Sequence, residues 1–202
     1  METAVRETVS SISRVHGWGE TLPLPHMLVE WTPETKDAAY YQHPEMPLFG
    51  RAMIREPRIL LNAGCNTPRL VFAHEVGHLL DHARGKFGNF SSHNYDSLEH
   101  QAVMVARAGA TYQKLEALLD VPTLSDATRT SVCKRLRNQE IWARMYAQHI
   151  ALRSGDVAML AELETRRANE SWGRYAVWPD AEFQILSQAV ENVLNCWTLG
   201  IA

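Results

Sequence analysis

The apolar and polar positions change their period about a third of the way along the chain. Up to residue 66 the apolar residues fall in short β-prone runs: MLVEW (27–31), AAYY (38–41), RAMI (51–54) and RILLN (58–62). Pro23, Pro25, Pro33, Pro44, Pro47 and Pro57 punctuate them. Runs this short, broken by prolines, predict strand and turn, assembled as a small antiparallel sheet. From residue 67 the spacing becomes helical. Thr67 offers an N-cap with proline in the first helical position after it, so a helix is predicted over 68–84, stopped by Gly85. The polar, glycine-bearing stretch KFGNFSSHNYDS then reads as a loop. An Ala- and Leu-rich segment over 97–120 predicts the next helix. Ser125 caps another that runs to Gly155, as one bent helix or two, and 156–169 and 180–197 predict the last pair. The result is one α+β domain over 1–202: a strand-rich part, 1–66, and a helical part, 67–202.

Composition changes this picture little. The chain is 46% hydrophobic and 21% charged with a formal net charge of −3, so it carries no basic footprint and nucleic acid is not expected as a partner. No window approaches 18 uninterrupted apolar residues, and METAVRETVSSISR lacks both a basic lead and an apolar core. A cytoplasmic protein without a membrane partner is the expectation. Cys65, Cys133 and Cys196 stand far apart with no CxxC spacing, and are read as small buried hydrophobes.

The segment FAHEVGHLLDH (72–82) adds chemistry. On a helix His74 and His78 share one face, so their rings can converge on a single metal ion. Glu75, turned about 100° from His74, falls beside that ion and not on it. That suits zinc hydrolysis, in which the ion acidifies a bound water and a nearby carboxylate takes its proton. Asp81, three residues after His78, is expected to accept a ligand's ring N–H and fix its tautomer. His82 is read as a non-ligand, because the helix carries a third position away from a single ion. Ser92, His93 and Asp96 do not form a triad, since neighbours in one loop cannot generally converge as a triad requires.

A catalytic zinc needs a third protein ligand. The extended pattern with glycine at 81 and histidine at 84 is absent, because Asp81 and Arg84 stand there. Two later carboxylates compete. Glu140 lies in NQEIWARMYAQHI, with Arg144 placed at i+4 as an intrahelical partner; Glu99 lies in DSLEHQAVMVARA, where the helix dipole favours a first-turn acid.

HEVGHLLDH followed by QEIWARMYAQHI resembles the gluzincin zinc metallopeptidases, the group that includes the anthrax lethal factor catalytic domain and compact peptidase-like domains of phage and other mobile elements. The resemblance covers about residues 27–151. It implies a Zn2+ cofactor held by His74, His78 and Glu140, Glu75 as general base, and a protein or peptide substrate. A looser resemblance to short repressor-cleaving metallopeptidases implies Glu99 as the ligand instead. Such families often carry an oxyanion-stabilising tyrosine; Tyr95, Tyr112 and Tyr146 are candidates, and none is marked by its surroundings. The competing expectation is a catalytically weak or inactive interaction protein that retains zinc. Glu75 counts against it, because a purely structural site needs no base. An extended peptide could pair with an exposed strand of the 27–62 sheet.

Overall fold

RILLN forms the central strand of the sheet. A computed structural model describes residues 2–18, 27–33, 38–43, 56–86, 89–168 and 177–198. In it β1 (Leu28–Thr32), β2 (Ala39–Gln42) and β3 (Arg58–Asn62) form a three-stranded sheet in the order β1-β3-β2. The architecture is α+β as expected, but the sheet is mixed and not wholly antiparallel: β3 runs parallel to β1 and antiparallel to β2. The expectation of an antiparallel sheet assumed that successive runs pair. Instead β3 inserts between β1 and β2, and its Ile59 and Leu61, both essentially unexposed, alternate onto the core face. The RAMI run lies outside the described residues.

A second correction concerns the N-terminus, which carries a helix, α1 (Glu2–His16), where only strand and turn were expected. Its buried positions include Ala4, Thr8, Ser11, Ser13 and His16, with Ile12 as the one large aliphatic among them. Helical spacing written mostly in small and polar residues gives little apolar periodicity to read.

α2 (Pro68–Arg84) starts and stops as predicted, but Thr67 does not cap it. The Thr67 hydroxyl instead accepts Nε and Nη2 of Arg166, both at 3.2 Å, while the Leu70 N–H donates to Glu162 at 2.9 Å. A carboxylate from elsewhere in the chain thus serves the positive end of the helix.

The 97–120 segment breaks into α3 (Leu98–Arg107) and α4 (Ala110–Ala117), and the 125–155 segment into α5 (Asp126–Arg135) and α6 (Asn138–Ser154). Ser97 and Ser125 cap α3 and α5 by accepting N–H groups three residues on. Gly155, at φ 65°, ends α6 in the left-handed conformation. α7 (Val157–Ala168) and α8 (Asp180–Thr198) complete the helical part. No helix among the described residues is long and apolar enough to cross a membrane. None of the three cysteines is fully buried, and Cys133 is exposed, contrary to their reading as core residues.

The contact that positions the chemistry is α2 against α6. A Cβ on Gly77 would stand 2.9 Å from the Cα of Ala143, so the missing side chain lets the two backbones close up. Trp142, fully buried beside it, donates its indole N–H to the Gly77 carbonyl at 3.2 Å.

Candidate metal centre

The approach of α6 to α2 brings Glu140, in the first turn of α6, to the two histidines of α2. The His74 and His78 rings lie 4.7 Å apart at 90° to each other. Glu140 places one carboxylate oxygen 3.5 Å from His74 Nε2 and the other 3.9 Å from His78 Nε2. One ligand atom from each residue lies within 4.8 Å of the other two. These gaps sit at or beyond the outer limit of a hydrogen bond. Ligand atoms sharing a tetrahedral zinc at roughly 2.0–2.1 Å would stand roughly 3.3 Å apart, so the donor set fits an ion with little adjustment.

The protonation states fit as well. Burial, reinforced by His74, lowers His78 to about 3 and keeps the ring neutral. For Glu140 burial pushes upward, but His74 above all, with His78 and Lys134, outweighs it and holds the carboxyl near about 2. A neutral imidazole and an ionised carboxylate are the forms that bind metal.

Glu75 is buried beside this group and outside it. Burial raises its carboxyl to about 7, against the pull of His74 and a hydrogen bond from the Tyr41 main-chain N–H. That bond fixes the relation of the sheet to the site. The Asn62 N–H donates to the Ala38 carbonyl, so by antiparallel alternation Ala38 and Tyr40 turn their polar groups toward β3. Ala39 and Tyr41 turn theirs away, along the rim of a cleft of about 530 Å³ that also admits His74, Glu75, His78 and Glu140 to its lining.

The other candidates fall elsewhere. Asp81, expected to orient a ligand, gives both oxygens to Ser92, accepting its N–H at 2.7 Å and its hydroxyl at 2.6 Å. His78 Nδ1 is buried and meets no hydrogen-bond partner among the described residues. Burial raises Asp81 to about 7 against the pull of those two Ser92 bonds. Glu99 is buried in a structural knot, accepting from Arg84 Nε at 3.1 Å, the Ser91 hydroxyl at 2.9 Å and the Trp197 indole at 3.1 Å. The structure therefore brings Glu140, and not Glu99, to the histidine pair.

Arg144 does not pair with the Glu140 carboxylate; it donates to the main-chain carbonyls of Glu140 at 3.1 Å and Arg135 at 2.6 Å. His82 contacts the Tyr41 hydroxyl at 3.3 Å and is not among the grouped ligand atoms. Ser92 and His93 diverge, the latter meeting Gln139 at 2.7 Å.

None of the three candidate tyrosines lines the cleft: the Tyr146 hydroxyl is buried against His16 Nε2 at 2.8 Å. Tyr40 and Tyr41 do line it, and the sequence reading missed them as functional residues although it marked AAYY as a strand. Their signal was the place of that strand at an edge of the sheet among the described residues, which depends on pairing and not on composition. Comparison with protein-family models, with curated proteins and with solved structures finds no match to this chain.

Proposed function

We propose that the protein is a zinc-dependent metallopeptidase in which His74, His78 and Glu140 hold the ion and Glu75 is the general base. The observation that carries this reading is the meeting of Glu140 with the HExxH pair across two helices, with a cleft open to all three side chains. Zinc bound there would acidify a water molecule and polarise a substrate carbonyl. Glu75, adjacent to the ligands and held by the Tyr41 N–H, takes a proton from the attacking water and returns it to the leaving amine. The outward N–H and C=O of Ala39 and the C=O of Tyr41, whose N–H is taken by Glu75, offer an edge among the described residues on which an extended peptide can add as a strand, which would carry its main chain past the base.

The test uses the purified full chain. Elemental analysis should find about one zinc per chain, and the loaded protein should cut a complex peptide mixture, read by mass spectrometry. His74→Ala and His78→Ala should each abolish tight zinc binding. Glu75→Gln should keep zinc near one per chain and lose cleavage. If Glu75→Gln loses the metal as readily as His78→Ala, the assigned roles are wrong. Zinc binding without any cleavage would transfer the site to an interaction protein.

A further inference from the structure

The cleft has a sign as well as a centre. Its charged lining comprises Glu75 and Glu140, both already assigned, against Lys134, Arg135, Arg137, Arg144 and Arg166, in a chain whose net charge is −3. An overall acidic protein that gathers its basic side chains around one cleft attracts anions there.

Two of these residues are placed as structural arginines rarely are. Arg135 is half-buried, and among the described residues its guanidinium makes neither an ion pair nor a hydrogen bond. Arg166 is half-buried too; its hydrogen-bond acceptor among the described residues is the neutral Thr67 hydroxyl, and the Glu162 and Glu75 carboxylates act on it without contacting it. Thr67 stands at the N-terminus of α2, whose positive end is already served by the Glu162 carboxylate. Like charges also crowd one another: burial lowers Arg144 to about 10, and Arg135 and Arg166 both add to that lowering. Glu140 acts on Arg135 and Glu162 and Glu75 on Arg166, but no carboxylate among the described residues contacts either guanidinium, which leaves donors for an anion that binding would supply.

Its position along the cleft follows from helical spacing. Val71, His74, Glu75 and His78 line the cleft in a row along α2, and Arg166 holds Thr67 one turn before that row. The basic end is thus next to the histidine centre, on the α2 N-terminal side.

We propose that Arg135 and Arg166 form an anion subsite beside the metal centre that takes a carboxylate of a peptide substrate, from an acidic side chain or from the chain's C-terminus. Guanidinium groups recognise carboxylates through paired N–H donors, which gives direction as well as charge. The inference rests on the peptidase reading for the peptide nature of the ligand, and not for the anion site itself.

The experiment separates the two. Three fluorescein-labelled pentapeptides are titrated into the metal-free full chain by fluorescence anisotropy: central Glu with an amidated end, central Gln with a free carboxylate end, and central Gln with an amidated end. One of the first two should bind about tenfold or more tightly than the third, and which one does so identifies the source of the carboxylate. Arg135→Gln and Arg166→Gln should each abolish that preference, and Arg135→Lys should retain part of it. Because Arg135 makes no hydrogen bond within the described residues, Arg135→Gln should also leave the melting temperature unchanged or raise it, as removal of an uncompensated charge does and removal of a structural residue does not. Equal affinity for all three peptides overturns the subsite, as does a preference that survives both glutamine variants or a collapse of Arg135→Gln on melting. Cleavage by the zinc-loaded protein is scored separately: cutting without acidic preference removes the subsite alone, whereas anion preference without cutting removes the peptidase reading alone.

Discussion

α2 serves two clusters of acids, and they are built in opposite ways. Toward its C-terminal end Asp81 is fully buried with both oxygens on Ser92 at 2.7 and 2.6 Å, and Glu99 fills its own with Arg84, Ser91 and Trp197. Toward the cleft, Glu140 meets the imidazole nitrogens of His74 and His78, at 3.5 and 3.9 Å. In the first cluster each acceptor faces a donor, and the group is complete as protein. In the second a carboxylate faces two imidazole nitrogens at or beyond hydrogen-bond reach, and burial keeps the His78 ring neutral, so a metal ion can take the space between them. Carboxylates gathered at different points along α2 thus differ in what would complete them: hydrogen bonds in one case, a cation in the other.

The sharpest way to break this comparison is to exchange the roles of its two glutamates. Glu140→Ala removes a ligand and should lower zinc affinity by about 100-fold or more, measured by competition with a chelator, with little change in the melting temperature of the metal-free protein. Glu99→Ala should do the reverse. It leaves the Ser91 hydroxyl and the Trp197 indole without an acceptor and Arg84 without its carboxylate, a loss of about 2–4 kcal/mol given that Arg84 is partly exposed, with zinc affinity unchanged. Zinc lost in Glu99→Ala and kept in Glu140→Ala would invert the assignment.

Gly77→Ala tests what holds the clusters in register. The new methyl would stand 2.9 Å from Ala143 Cα and 3.3 Å from Tyr146, so α6 must shift away from α2. Overpacking of this kind costs about 1–3 kcal/mol, which for a chain of this size lowers the melting temperature by several degrees. Because Glu140 travels with α6, zinc affinity should fall too, by less than in Glu140→Ala. A variant that melts lower but binds zinc normally would show that the site does not depend on this contact.

What the sequence disclosed follows the range of each interaction. The limits of α2 at 68 and 84, the cap at Ser125 and the facing of His74 and His78 depend on residues a turn or so apart, and were legible. The place of β3 in the sheet, the cap that Glu162 lends to α2 and the bond between Asp81 and Ser92 join residues with no local signal, and were not. Glu140 falls between these cases. Its apolar neighbours marked α6 as a packing helix, but only the closeness allowed by Gly77 separates it from Glu99. α1 was lost for another reason: its buried face is mostly small and polar, so even a local period left little apolar trace.

The mildest test concerns Asp81 and uses pH. Its carboxyl is raised from 3.8 to about 7, chiefly by burial, so the folded chain holds this proton more firmly than the unfolded chain. The stability it contributes is therefore fully present below about pH 4 and is lost as pH rises toward about 7, where the folded state must also ionise it. Asp81→Asn keeps an acceptor for the Ser92 N–H and supplies an amide donor to the Ser92 hydroxyl, but cannot ionise. Its melting temperature relative to the parent should therefore rise between about pH 4 and pH 7, by a few degrees at most, and level off above that. Zinc affinity should stay within about twofold, because the carboxylate serves Ser92 and not an imidazole. A flat difference across that range would mean that Asp81 is not held protonated. A fall in affinity of roughly 10- to 100-fold, the size expected when the partner of a metal ligand is removed, would return Asp81 to the support of the histidines and erase the contrast between the two clusters.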